Sequence, residues 1–366
     1  MGSTCHIEVW VDPDGPDPDE LLASAVQLVE DLEGAWSRFR VDSEVSRINR
    51  HAGVAVPVSA PTIDLVTLAV AAWEQTGGRF DPTVGDAVIA AGYDRTFSDL
   101  GADGPPPTRQ PTRVPGCSGI VVDHASGTVT VPVGVRLDLG GIGKGRAADL
   151  TADLLAEAEA LGALVDLGGD VRAIGVAPSA DQWVITIEDP DAPGTALVGV
   201  GIAGAGNRGA TASLGGGAVA TSTTLRRRWQ GPDGPAHHLI DPSTSRPSTS
   251  GVVMASVVAA NATWAEVFAK AALLAGPRHG AELIATAGLT GVLVIDDPHG
   301  REVQAAGDLD RFLVDVPGQV TALGDTGIHT MDPIPTPVSA RTASKDRPST
   351  DSPSTDRPST TQGTRS

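Results

Sequence analysis

Cysteine is almost missing from this 366-residue chain: only Cys5 and Cys117 occur, and neither stands in a CxxC or CxxH spacing. One bridge at most can form, so there is no disulfide framework, and structural zinc has no ligand set. Aromatic residues are scarce at 3%, which leaves packing to the small aliphatic side chains that dominate the 40% hydrophobic content. Basic residues are outnumbered, 26 against 45 acids, and a net charge of −19 repels a phosphate backbone. Nucleic-acid binding is therefore not expected. No apolar run is long enough to cross a bilayer. Residues 1–14 carry acids and proline where a signal peptide has a basic start and an apolar run. The expectation is a soluble, cytoplasmic protein, with export requiring a start codon upstream of Met1.

Glycine and proline are plentiful, 44 and 28 residues, so many turns are expected. Composition changes near residue 333. Beyond it Pro, Ser, Thr, Asp and Arg dominate, with near-repeats starting at Asp346, Asp351 and Asp356. Such a stretch has too little apolar surface to offset the entropy of ordering. The reading is one domain over 1–332 and a disordered tail over 333–366, with a Pro/Gly-rich loop at 101–115. Apolar spacing predicts an amphipathic helix over 21–39, and further helices over 61–73, 147–161, 262–275 and 277–287. Strands are expected over 6–11, 120–122, 128–131, 135–139, 163–166, 183–188, 252–258 and 291–295. Hairpin-like runs such as 119–131 point to an α+β fold, with mixed or antiparallel sheets covered by helices.

Several turns combine acids with glycines. In Leu137-Asp-Leu-Gly-Gly-Ile-Gly-Lys-Gly145 a short strand carries Asp138, glycines follow, and Lys144 lies just before a helix. Glycines let backbone approach a ligand, and helix N–H groups with a lysine suit phosphate oxygens. The segment is not a P-loop, because Asp138 stands at the first required Gly and Gly145 at the Ser/Thr. A surface lysine at an ordinary strand-turn-helix junction is the plainer alternative. Residues 199–204 match GxGxxG, but the glycine-rich sequence after them cannot be the helix a dinucleotide site needs. They read as a strand edge and loop. His238 and Asp241 stand three apart before Pro242, either as an imidazole and carboxylate at one site or as an exposed turn. Asp81 follows Gly77 and Gly78 in a helix-ending turn, and Asp166 and Asp170 flank another pair of glycines.

In order along the chain, residues 36–49, 76–85, 137–145, 165–170, 218–222, 238–242 and 262–272 resemble the motifs of the ApbE family of FAD:protein FMN transferases. The resemblance implies that a Thr or Ser hydroxyl of an acceptor flavoprotein attacks the FMN-side phosphorus of FAD and that AMP leaves. It also implies flavin or FAD contacts at Met1, Phe39, Arg79, Phe80, Asp81, Asp138 and Lys144. His238 matches the base for the acceptor hydroxyl, and Lys144 neutralises charge. A magnesium ion (Mg2+) is implied at the Gly141 carbonyl, Glu266 and Ala269.

The sequence departs from that pattern at the metal. The family's last motif carries an Asp and a Thr as ligands; here Glu266 and Lys270 stand in their places. Glu can ligate a hard cation, whereas a protonated lysine has no acceptor. Its ammonium would instead take the cation's place, or form a solvated i,i+4 pair with Glu266. Ser245 stands where the family has a turn glycine. The alternatives to transfer are FAD hydrolysis to FMN and AMP, and FAD binding without chemistry.

Overall fold

The computed structural model describes residues 4–100, 113–177, 182–204, 215–231, 234–297, 300–316 and 341–344. Helix starts follow local signals. α1 (Pro18–Trp36) opens with proline behind Asp17, whose carboxylate accepts from the Asp19 N–H at 2.9 Å. α2 (Glu44–Arg50) is capped in the same way by Ser43. Pro61 opens α3 (Ala60–Gln75), and α4 (Gly85–Ala90) follows. α5 (Gly143–Glu157) begins ahead of the 147 that periodicity predicts, so Lys144 lies inside its first turn. α6 (Ala262–Ala275) starts behind Asn261, which accepts from the Trp264 N–H at 3.0 Å. It ends at Gly276, whose φ of +83° suits a residue without a β-carbon, and α7 (Pro277–Thr286) follows at once.

The strands are β1 (Cys5–Trp10), β2 (Val56–Pro57), β3 (Val121–Asp123), β4 (Thr128–Thr130), β5 (Gly162–Leu167), β6 (Asp170–Gly175), β7 (Gln182–Glu188), β8 (Ala196–Ala203) and β9 (Gly216–Thr223). There follow β10 (Arg228–Gly231), β11 (Gly234–His237), β12 (Ile240–Asp241), β13 (Arg246–Pro247), β14 (Val252–Ala259), β15 (Thr290–Asp297), β16 (Gly300–Ala306), β17 (Leu313–Val314) and β18 (Arg341–Ser344). One sheet runs β16-β15-β14-β9-β6-β5-β1-β18, with every neighbouring pair antiparallel. Successive strand residues face opposite sides, and the sequence uses both. Ala218 and Ala220 of β9 pack in the helix-side core with α5 and α6, while Val219 packs with Trp183, Val198 and Val200 of the sheet β17-β8-β7. The result is three layers: helices, the large antiparallel sheet, and a smaller sheet behind it. This is the α+β arrangement that the hairpin runs predict.

Four expectations are adjusted. Residues 135–139 do not form a strand, because the Asn49 side chain takes a partner strand's place. Its Nδ2 donates to Leu137 O at 2.9 Å, and Leu137 N donates to its Oδ1 at 2.8 Å. An Asn49→Ala variant is expected to lose about 1–3 kcal/mol, read as a lower urea midpoint, since both backbone groups lose their partner. The GxGxxG residues 199–204 fall on β8 and its end, a strand as read, but β8 is the middle strand of β17-β8-β7 and not an edge. Here the glycines admit neighbours: a β-carbon on Gly199 would overlap Val314 O. The predicted helix over 21–39 stops at Trp36, which leaves Phe39 in the turn beyond it. Within the tail expected to be disordered, Arg341–Ser344 instead pairs with β1, satisfying the backbone groups of that open edge. The rest of 333–366 lies outside the described residues, as do 101–112 of the predicted loop.

Candidate active site

The N-terminal turn of α5, the start of β6 and the middle of α6 converge on a group of opposed charges. The Lys144 ammonium donates to Asp170 Oδ2 and, at 2.8 Å, to Glu266 Oε1. The second Glu266 oxygen accepts from the Gly145 N–H at 2.9 Å. Both carboxylates are buried, Asp170 at 1% exposure and Glu266 at 2%, so one ammonium and one helix-end N–H compensate them. The α5–α6 approach that allows this depends on Gly145, where a β-carbon would overlap Ala262 O. Asp149 closes the same junction by accepting from the Ala262 and Thr263 N–H groups at 2.8 and 2.9 Å. Burial opposes the Lys144 charge, but Asp170 and Glu266 outweigh it and raise its pKa above the ordinary lysine value. Burial, and then Glu266 beside it, push Asp170 upward.

Lys270 follows Glu266 by one turn of α6 and reaches over Gly141. A β-carbon on Gly141 would overlap its Nζ and come within 3.1 Å of its Cδ. No hydrogen bond or ion pair reaches this ammonium among the described residues. Burial lowers its pKa, with Glu266 pulling the other way.

The second part of the site is aromatic and cationic. Arg38, just past α1, pairs with Asp138 at 2.9 Å and donates to Tyr93 O at 2.8 Å. Its guanidinium lies 4.1 Å from the Phe39 ring centre and 4.8 Å from that of Tyr93, within cation–π range. Tyr93, the chain's single tyrosine, stands 5.5 Å from Phe39 and 5.5 Å from Trp229. Asp138 is held on both oxygens, by Arg38 and by the Gly140 N–H at 2.9 Å. His238 leaves the β10–β11 hairpin with its Nδ1 buried and without a hydrogen-bond partner among the described residues. Burial, and then the charges of Lys270, Arg227, His237 and Lys144, lower its pKa well below the ordinary 6.5. The imidazole is therefore neutral at physiological pH and has a ring nitrogen to spend.

The structure thus gathers Asp138, Gly141, Lys144, Glu266, Lys270 and His238, with Phe39 against Arg38, the ion-pair partner of Asp138. It treats the others differently. Phe80 is 2% exposed in the main core, and Asp81 Oδ1 accepts from Thr83 N and Oγ1 at 2.8 and 2.6 Å, so both serve their own turn. That turn still touches the site through Pro82 O, which accepts from the Asp138 N–H at 2.8 Å. Arg79 is exposed, and Met1 lies outside the described residues. Asp241 is not paired with His238. It accepts from Ser243 N and Oγ and lines a groove of about 370 Å³ at the start of α7. Ser245 adopts a φ of +57°, the left-handed conformation that favours a glycine, and is held by Val114 N–H on its Oγ at 3.1 Å. Arg38, Tyr93, Asp170, Arg227 and Trp229 carry no assigned role in the sequence reading. Asp170 had a signal, as the last residue of an acid-and-glycine turn.

A divalent cation does not fit the residues at Gly141 and Glu266. Both Glu266 oxygens are engaged, a lysine ammonium covers Gly141, and Ala269 is buried in the core. No group of three or more His, Cys, Asp or Glu that could hold a metal exists among the described residues.

Residues 1–293 match the ApbE family. Two relatives, each named FAD:protein FMN transferase, align with 86% of this chain. The one from Treponema pallidum (strain Nichols) is 28% identical over 87% of its own length, and the one from Vibrio cholerae serotype O1 is 25% identical over 90%. The crystal structure of the ApbE protein from Thermotoga maritima superposes with a TM-score of 0.70 at 27% identity, covering 84% of this chain and 96% of that one. Matched over most of its length in sequence and in fold, the chain belongs to the ApbE family.

Proposed function

We propose that this protein moves the FMN half of FAD onto a Thr or Ser hydroxyl of an acceptor protein and releases AMP. FAD:protein FMN transferase is the activity for which its Treponema and Vibrio relatives are named. The observation that carries the reading here is His238, a neutral imidazole with a buried, unpartnered Nδ1, set among Lys270, Arg227 and Lys144. A neutral imidazole accepts a proton, and surrounding cations favour a substrate that arrives as a dianion.

The acceptor oxygen forms a bond to the FMN-side phosphorus, and the bond from that phosphorus to the bridging oxygen breaks. AMP departs with the bridging oxygen, and the hydroxyl proton passes to His238. The ammonium of Lys144, fixed by Asp170 and Glu266, supports the charge growing on the phosphoryl oxygens. Arg38, Phe39 and Tyr93 offer a cationic and aromatic wall on which a planar ring system stacks.

Purified protein incubated with FAD and an acceptor bearing an Asp-Gly-Ala-type target motif should add the mass of FMN to the acceptor, with AMP formed in equal amount. Free FMN and AMP with no mass added would replace this reading by hydrolysis. FAD bound but left intact would reduce the protein to a flavin binder.

A further inference from the structure

We propose that the Lys270 ammonium occupies the position of a divalent cation in this site and itself meets the diphosphate of FAD, so that transfer proceeds without a metal. The inference rests on the flavin-transfer reading above and deepens it. Glu266 divides its oxygens between Lys144 and the Gly145 N–H, Asp170 is bonded to Lys144, and Asp138 is divided between Arg38 and Gly140. A hard cation needs several free oxygens, and here each carboxylate already holds a donor.

Lys270 is the complementary case. An ammonium carries three donors and no acceptor. Lys144 directs its donors to two buried carboxylates, whereas Lys270 makes no hydrogen bond or ion pair among the described residues. Its side chain is placed by α6 and by the bare Cα of Gly141, which leaves room for the ammonium and for nothing larger than hydrogen on that residue. The ammonium feels the charges of Glu266, Asp138 and Asp170, yet is bonded to none of them. Lys144 thus commits two of its donors to the fold, whereas Lys270 has all three free for phosphate oxygens among the described residues.

The bond changes are those already given: the acceptor oxygen bonds to the FMN-side phosphorus, the bridging bond breaks, AMP leaves, and His238 takes the proton. What changes is the counter-charge. One ammonium replaces a divalent ion and binds phosphate oxygens through directed hydrogen bonds.

The test uses the full chain, freed of metal with EDTA. Mn2+ binding is followed by electron paramagnetic resonance with and without FAD, FAD affinity is measured in EDTA and in Mg2+, and FMN transfer is read by mass. The unaltered protein should bind no Mn2+, hold FAD equally in both buffers and transfer FMN in EDTA. Lys270→Met should weaken FAD about tenfold or more in either buffer, the scale of one lost charge-assisted hydrogen bond. Lys270→Arg should keep most of that affinity, which separates loss of charge from misfolding. Lys270→Thr should weaken FAD as Lys270→Met does and still bind no Mn2+, because Glu266, Asp170 and Asp138 remain engaged. Stoichiometric Mn2+ on the unaltered protein, or transfer abolished by EDTA and restored by Mg2+, overturns the inference and leaves the transfer reading intact. No FAD binding in either buffer overturns the transfer reading, and this inference with it.

Discussion

His238→Asn is expected to lower FMN transfer by about 10²–10⁴-fold while changing FAD affinity little, because a positioned base supplies a factor of that order. The readout is initial rate of acceptor modification beside a direct FAD titration. A histidine acts as a base only when neutral, and burial with four neighbouring cationic or ionisable groups keeps His238 neutral below its ordinary 6.5. The rate for unaltered protein should therefore stay flat through neutral pH and fall only on the acid side of 6.5. Removing the Lys270 charge relieves the largest of those electrostatic effects, so the acid limb of Lys270→Met should move up toward 6.5. Stability falls on the same side. Below 6.5 the unfolded chain takes up a proton that the folded imidazole refuses, so this residue costs stability as pH falls through that value. Transfer by His238→Asn at the unaltered rate would remove the imidazole from the reaction.

Lys144→Met is expected to be the most destabilising single change at the site, by about 3–5 kcal/mol, the cost of stranding a buried charge. It leaves Asp170 and Glu266, 1% and 2% exposed, facing one another with no ammonium between them. The urea midpoint should fall without a change in slope, and FAD binding should fall with it. The loss should also depend on pH in a defined direction. Asp170 already has a raised pKa, and without Lys144 it rises further. A carboxyl group that keeps its proton in the fold favours folding at low pH, and that advantage is lost as pH rises above the unfolded value. The variant should therefore stand nearer the unaltered protein at pH 5 than at pH 8. Glu266→Gln is the milder comparison, because an amide oxygen can still accept from Gly145 and the charge imbalance shrinks. A Lys144→Met loss below about 1 kcal/mol would mean that water reaches both carboxylates, as at an exposed pair.

Sequence patterning carries the helices better than the central sheet. α6 is readable because residues 262–275 are almost wholly apolar, with Asn261 ahead and Gly276 behind. β9 sits in the middle of the large sheet, yet its residues are mostly Gly, Ala, Ser and Thr, without the β-branched aliphatic run that marks a buried strand. It is narrow because α6 packs on one side and the β7–β8 layer on the other, so small residues are demanded where periodicity looks for large ones. Residues 135–139 mislead in the reverse direction: they have the composition of a strand, but Asn49 supplies the pairing from far away in sequence. At the site, motif resemblance reaches Asp138, Lys144, Glu266 and His238. The partners that define their chemistry are absent from it, since Asp170 and Arg38 gain meaning only from the side chains they touch. Lys270 is legible as a departure in one position, but its free ammonium against Gly141 is a fact of three dimensions.

The clasp of Lys144, Gly145 and Asp149 onto α6 joins residues 122, 121 and 113 positions apart along the chain. Contacts of such separation require closing long loops, and the entropy of closure is recovered only when the intervening strands have paired. The charged group between α5, β6 and α6 is for this reason a late event in folding, preceded by the hairpins and helices that bring its parts within reach. A nascent or partly folded chain holds the motifs but not the charged cluster they form together. Competence toward FAD thus arrives only with the completed tertiary structure.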